Sequence, residues 1–259
     1  MTQQRTRIER ERDFWDHMVP TVEEALAEYR AGPEPNTLLM LHAVAPGPGR
    51  RNLDFACGGG VTSAWLARSG AHVTGVDLSP ASIRTARGVA DALGFNIDLQ
   101  VADVERLELP PGGFDAVVGR YALHHLDVEV MAPVLARCIA PGGTGAFLET
   151  MGLNPFLNVA RDHLTGRFGV PRFGTLDEHP LKARDIVLLR RAFGFVELHT
   201  AEYRFVSMVD RQVLRGRAPR VGRALRWIDD RLARVGPLSD WSFHQVVVTR
   251  RDAASAQAG

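Results

Sequence analysis

The chain has little that would staple, anchor or strongly charge it. Its 259 residues hold two cysteines, Cys57 and Cys138, in no metal-binding or redox spacing. That excludes a disulfide framework and a cysteine-metal centre, and their apolar neighbours predict buried free thiols in a reducing compartment. No apolar run approaches the ~20 residues that span a bilayer. The opening stretch MTQQRTRIERERDFWDHM lacks the apolar core of a secretory signal, so the sequence predicts a cytoplasmic protein without a transmembrane segment. Thirty-one basic residues against 30 acidic ones leave overall charge with no partner to select. Aromatics are scarce (12 Phe, 4 Trp, 3 Tyr), so where they fall carries information.

Against these absences stands a regular alternation. The first fifty residues read as helices: a charged one near Arg5–Arg12, one opened by Thr21 with Glu23 and Glu24, and a short apolar one capped by Asn36. From residue 51 short apolar strands alternate with helices. Strands are expected at 52–56, 72–76, 97–101, 114–120 and 143–150, and helices at 61–68, 80–93 and 128–139. This rhythm predicts a doubly wound, Rossmann-like α/β sheet. After Thr150 the rhythm breaks. A helix capped by Asn154 with Pro155 at its first position leads into a Gly-, Phe- and Arg-rich loop. A helix at 181–192 follows, then a strand-like run at 196–206, an arginine-rich helical insert at 207–237 and a last strand at 243–249. The expected organisation is an N-terminal helical lid (1–50), a binding core (51–150), a lid insert (151–180), the C-terminal part of the core (181–250) and a disordered tail (251–259).

The chemistry starts at "NLDFACGGGVTSAW" (52–65), a glycine-rich loop between strand and helix that lets backbone approach a ligand closely. A dinucleotide fingerprint needs a Gly or Ala three places after its second glycine. Counted from Gly58 that place is Ser63, and counted from Ala56 it is the β-branched Val61. No Gly-Lys-Ser/Thr follows, which removes the phosphate-loop reading. What is present is Ala56, Gly58 and Gly60 at alternate positions after Asp54. One strand later come Asp77, then Ser79-Pro80 as helix cap and first helical residue. "VADVERL" places Asp103 after the third strand, and "FDAVVGRYALHHLD" and "LARCIAPGGTGAFLE" follow in order.

These five ordered segments, over residues 52–149, resemble the class I S-adenosylmethionine-dependent methyltransferases, in their small-molecule branch of quinone-pathway and natural-product enzymes. Ala56 departs from that family's first loop glycine, a substitution that a negative φ would accommodate. The resemblance implies a seven-stranded sheet with an antiparallel last strand and S-adenosylmethionine as cofactor. It places Asp54, Ala56, Cys57, Gly58, Gly60, Asp77, Leu78, Asp103, Val104, Arg120 and Tyr121 around that cofactor. Asp77 would take the ribose hydroxyls, and Asp103 would meet the adenine amino group.

Methyl transfer to a hydroxyl or ammonium group needs a base, for which His124, His125, His163, His179 and Tyr121 are candidates. Adjacent histidines ordinarily point to opposite sides, so one of His124 and His125 is expected to act, with a structural histidine as the bland alternative. Trp15, His17, Glu149, Phe156, His163, Phe168, Phe173 and His179 are the candidate acceptor wall. "DEHP" (177–180) cannot aim adjacent side chains at one ion, so no metal is expected. The insert's arginines surround a stripe at Val221, Leu225, Ile228, Leu232 and Val235 that is expected to pack, leaving a basic outer face. That face fits solvent, a membrane surface or nucleic acid; "RYAL" after the fourth strand, where base methyltransferases carry Asn/Asp-Pro-Pro-Tyr, argues against nucleic acid. The expected activity is methyl transfer from S-adenosylmethionine to the O, N or C of a small molecule, with a homodimer compatible. The alternatives are a non-catalytic cofactor-binding subunit and a nicotinamide-dependent oxidoreductase.

Overall fold

The computed structural model describes residues 6–164, 179–208, 210, 214 and 216–252. The sheet has seven strands in the order β3-β2-β1-β4-β5-β7-β6. These are β1 (Arg51–Phe55), β2 (His72–Asp77), β3 (Ile97–Val101), β4 (Phe114–Arg120), β5 (Ile139–Thr150), β6 (Gly194–His199) and β7 (His244–Arg251). β7 runs antiparallel to both β5 and β6, and the other pairings are parallel. Strand order reverses at β1 and β4, which puts a crevice at the C-terminal ends of those strands.

The strand period of two sorts the core into two layers. Ala116 and Val118 of β4, Ala146 and Leu148 of β5, and Val246 and Val248 of β7 face one side. There they meet Met40, Leu41 and Val44 of helix α3 (Pro35–Val44) and Ala64 and Trp65 of helix α4 (Val61–Arg68). The intervening Val117, Phe147 and Val247 face the other side, against Met131 and Leu135 of helix α6 (Val128–Cys138) and Ile186 and Leu189 of helix α8 (Ala183–Phe193). A strand covered on both faces reads as continuous apolar sequence, and for that reason "QVVVT" does not alternate.

The N-terminal helices are α1 (Arg7–Met18) and α2 (Val22–Ala31), opened by capping boxes of Thr6 with Glu9 and Thr21 with Glu24. Helix α1 is longer than the expected Arg5–Arg12 and lies against helix α5 (Pro80–Leu93). Asn36 does not cap α3: the helix starts at Pro35, and the buried Asn36 Oδ1 accepts the N–H groups of Ala201 and Glu202. β5 begins at Ile139 rather than 143, with a register shift opposite Phe114 and Ala116. β6 ends at His199, well short of Val206. Helix α7 (Pro155–Leu164) is capped as expected, Asn154 Oδ1 accepting from the N–H of Phe156 and Leu157. Among the described residues of the arginine-rich insert, α9 (Pro219–Leu232) and the start of α10 (Gly236–Ser239) are regular elements. Both cysteines are buried free thiols, and burial pushes Cys138 up to about 12. Of the tail expected at 251–259, Arg251 belongs to β7 and the Asp252 N–H bonds the Phe193 carbonyl, while residues 253–259 lie outside the described residues.

Candidate active site

Four loops meet at the C-terminal edge of the sheet. The first follows β1. Gly58 (φ +53°) and Gly60 (φ +79°) are left-handed, a region where side chains cost energy. Their freedoms serve different ends. A Cβ at Gly60 would lie 2.7 Å from that of Ala86, so this glycine lets α5 pack close, whereas a Cβ at Gly58 would meet nothing within 4 Å. The backbone at Gly58 therefore faces open space at the crevice. Ala56 is also left-handed, at φ +53°, so the negative φ that would have suited its methyl group is not adopted.

Asp77, at the end of β2, accepts the N–H of Gly58 through Oδ2 (2.8 Å) and that of Ser79 through Oδ1 (2.9 Å). One carboxylate thus fixes the glycine loop and the turn into α5. Burial raises its pKa, against which those backbone hydrogen bonds work. A carboxylate offers about four lone-pair sites, so acceptor capacity remains toward the crevice. Asp54 stands behind it, 1% exposed, accepting the Ser63 hydroxyl at 2.6 Å. Burial pushes it up to about 7, with Asp77 adding to the rise. Its partner is inside the fold, and it acts on the loop from below. Cys57 is likewise buried, its N–H bonded to the Val76 carbonyl; Leu78 is half-buried and Val104 belongs to the core.

After β3, Asp103 accepts the Glu105 N–H at 3.0 Å through Oδ1. Its Oδ2 is buried without a hydrogen-bond partner, 3.4 Å from Arg106 Nε. After β4, Arg120 turns away toward Glu28 (2.6 Å) and the Trp65 ring. Tyr121 is left-handed at φ +59°, unusual for a bulky residue, and its ring lies 5.0 Å from that of His244.

The histidines depart from the expectation of opposite directions. The rings of His124 and His125 lie together, centroids 4.2 Å apart, and both side chains are largely buried. Each faces its own carboxylate. His124 Nδ1 is 2.7 Å from Glu149 Oε2, and His125 Nδ1 is 3.3 Å from Glu11 Oε2. Glu149 is fully buried; its Oε1 also accepts the N–H groups of Ala122 and Leu123. It stands behind His124, holding the loop and the ring, and does not line an acceptor wall. As an acceptor-only carboxylate it assigns the ring proton to Nδ1, leaving Nε2 as an acceptor.

Helix α1 crosses these loops. Arg7 donates to the His125 carbonyl (2.5 Å) and to Glu105 (2.5 Å). Asp16 accepts from the Ser79 hydroxyl (2.5 Å) and the Ala81 N–H (3.2 Å), bonds that hold its pKa low. Trp15 donates to Glu11 and sets its ring edge on His125, 5.3 Å away. His17 is exposed and bonds back to the Asp13 carbonyl, away from the crevice. On α7, Phe156 (63% exposed) and His163 face outward. His179 is exposed, though its N–H bonds the His124 carbonyl. Phe168 and Phe173 lie outside the described residues.

Sequence reasoning missed Arg161. Its guanidinium lies over the Phe243 ring at 4.7 Å and bonds Asn158, while Nη2 is buried without a partner. Burial lowers it to about 10, with Asp162 opposing. Nothing local distinguishes it from the chain's other arginines. Among the described residues there is no group of three or more ligand-type side chains placed to hold a metal.

Residues 53–143 match the family model described as a methyltransferase domain. A ubiquinone biosynthesis O-methyltransferase of Xanthomonas campestris pv. campestris is 40% identical over 110 residues, 42% of this chain and 46% of the relative. One from Nitrosococcus oceani is 41% identical over 111 residues, 41% and 46% of the two chains. The chain thus spans about half the length of the curated relatives it matches. Among solved structures, geranyl diphosphate C-methyltransferase from Streptomyces coelicolor superposes with a TM-score of 0.63 at 13% identity, over 96% of this chain and 100% of that one. A [4+2]-cyclase superposes at 0.57 with 20% identity, over 83% and 80%. At these identities the likeness is one of fold. Together, the domain match, the strand order and the loop geometry make residues 53–143 a methyltransferase domain.

Proposed function

We propose that the protein transfers the methyl group of S-adenosylmethionine to a hydroxyl of a small, quinol-like acceptor. The observation that carries this reading is the pairing of an open glycine backbone with carboxylates facing the same crevice. Gly58 leaves room for a ligand to approach, Asp77 retains acceptor capacity for ribose hydroxyls, and Asp103 keeps a buried oxygen without a hydrogen-bond partner. An amino group reaching Asp103 Oδ2 would supply the hydrogen bond that this atom, 3.4 Å from Arg106 Nε, lacks. The cofactor, when bound, supplies an electrophilic methyl group on a sulfonium centre.

The chain's part is to position the acceptor, exclude water and take a proton. His124 suits the last task. Glu149 fixes its orientation and tautomer, so Nε2 accepts the hydroxyl proton, and the buried carboxylate stabilises the imidazolium that forms. Trp15, whose ring meets the neighbouring His125, and the Tyr121–His244 ring pair are the candidate acceptor wall. Helix α1 would close the cofactor side through Arg7 and Asp16. The names of the curated relatives favour a ring hydroxyl of the ubiquinone-precursor kind over an amine or carbon acceptor.

The test uses methyl-labelled S-adenosylmethionine with catechol, dihydroxybenzoate and a short-chain polyprenyl catechol. Labelled methyl ether from any of them is expected, and loss of that product in His124→Ala with cofactor affinity retained. The reading fails if the protein binds S-adenosylhomocysteine but methylates only amines or carbon, or turns over fully without His124.

A further inference from the structure

Helix α9 is rotated away from its expected packing. An amphipathic helix on a globular protein normally buries its apolar stripe. Here Gly222 and Asp229 are buried and Leu225 and Leu232 of the expected stripe are half-buried, while Val221 (47% exposed), Trp227 (58%) and Ile228 (38%) are exposed. The polar side carries the attachment. Asp229 accepts the N–H groups of Phe205, Val206 and Ser207 as well as the Ser207 hydroxyl. Gly222 lies so close to Asp210 that a Cβ there would meet its carboxylate at 2.2 Å. Burying Asp229 under four donors fixes the helix's rotation, so the outward apolar face is built rather than incidental.

That outward face is ringed by exposed guanidiniums: Arg220, Arg223, Arg226, Arg231 and Arg234. Arg231 lies over the Trp227 ring at 4.9 Å. The nearby acids answer little of this charge. Asp229 is turned inward, Asp210 pairs with Arg226, and only Asp230 is exposed on the helix. An open recess of about 500 Å³ at the helix start is lined by Ala218, Pro219, Arg220, Val221 and Arg223. The neighbouring α7 adds to the apolar area. Its Phe156 and Val159 are 63% and 59% exposed, and the Phe156 ring stacks on Phe205, the residue whose N–H Asp229 holds. Helix α9 sits in the connection between β6 and β7 and α7 in that between β5 and β6, both leaving the sheet edge that carries the active site.

We infer that α9, with the outward face of α7, docks on an anionic lipid surface. A tryptophan and branched aliphatics between arginines match the boundary between acyl chains and headgroups. Nucleic acid would use the arginines and leave Val221, Ile228 and Trp227 idle. A second copy meeting this face about a two-fold axis would set like charges against each other.

The inference stands apart from the methyl-transfer reading and is tested with the full chain. Flotation is measured with vesicles of phosphatidylcholine alone and of phosphatidylcholine mixed with phosphatidylglycerol. Binding is expected to the anionic vesicles only, and to weaken as salt screens the arginines. Replacing Arg220, Arg223 and Arg231 together by Gln should weaken it about a hundredfold. Val221→Ser with Trp227→Ser should also release the protein, and a melting temperature measured beside it separates lost docking from lost folding, both side chains being about half exposed. Calorimetry with S-adenosylhomocysteine should give the same affinity in every variant. Absence of binding to anionic vesicles, binding unchanged in both variants, or a dimer or RNA complex formed through this face in place of vesicle binding would overturn it. A failure confined to S-adenosylhomocysteine binding would strike the methyl-transfer reading instead.

Discussion

The two halves of the crevice are built in different ways. On the β1–β2 side, carboxylates bind backbone N–H groups of the loops that leave neighbouring strands: Asp77 holds Gly58 after β1 and Ser79 two residues on, and Asp103 holds Glu105. On the β4–β5 side, the partners come from distant segments. Glu149 reaches back to His124, Glu11 faces His125, and Asn154 donates to the Trp241 carbonyl. The first half is a cradle of fixed loops, suited to a cofactor that does not vary. The second is an assembly of separate elements, whose wall can change without disturbing the cradle.

The sharpest separation of the two halves comes from His124. His124→Ala is expected to lower kcat by about 10²–10⁴-fold, the usual share of a general base, while S-adenosylhomocysteine affinity stays within a few-fold. An equal loss of affinity would join the two halves. Asp77→Ala does the converse. It removes a charged acceptor worth about 1.5–3 kcal/mol, so affinity for the cofactor should fall by one to two orders of magnitude in a calorimetric titration. Asp77→Asn, which retains one acceptor oxygen, should lose less. Unchanged binding in a folded Ala variant would take Asp77 out of the site.

Asp54 probes the cradle from below. Its carboxyl titrates near 3.8 when unfolded and at about 7 in the fold, where burial disfavours the charged form. Between those values the folded state holds the extra proton, so this contribution is fully present below pH 3.8 and is lost as pH rises to about 7. Asp54→Asn, which can still accept from Ser63, should flatten that slope and unfold at a higher temperature above pH 7. A steeper slope, or a lower melting temperature there, would mean the charge is stabilised in the fold. The smallest effect belongs to Ala56→Gly. The left-handed φ costs Ala about 1 kcal/mol, roughly offset by glycine's added chain entropy. Stability should move by less than about 1 kcal/mol and cofactor affinity should hold or tighten slightly; a large loss would show that the methyl group makes a contact with the cofactor.

This contrast also explains what could be read from the sequence. The strands, the helices between them, and Gly58, Gly60, Asp77 and Asp103 were legible because each depends on spacing within one strand–loop–helix unit. Asp54 was legible as a position but not in its role, since its bond to Ser63 needs the turn that joins them. Glu149 was expected on a wall and stands behind His124, because only the sheet decides which side of a strand end is interior. Arg161, Glu11 and Asp16 gave no local signal; their partners arrive through tertiary contact. Helix α9 had the expected periodicity but is rotated, Leu225 and Leu232 half-buried and Val221 and Ile228 exposed, because the buried Asp229 sets its orientation.

The central claim is that the crevice is a cradle for S-adenosylmethionine. Calorimetric titration of the full chain with S-adenosylhomocysteine and, separately, with NADH tests it most directly. The account predicts one-site binding of S-adenosylhomocysteine, weakened in Asp77→Ala, and far poorer binding of NADH. NADH binding the more tightly, or S-adenosylhomocysteine failing to bind the folded protein, would contradict it.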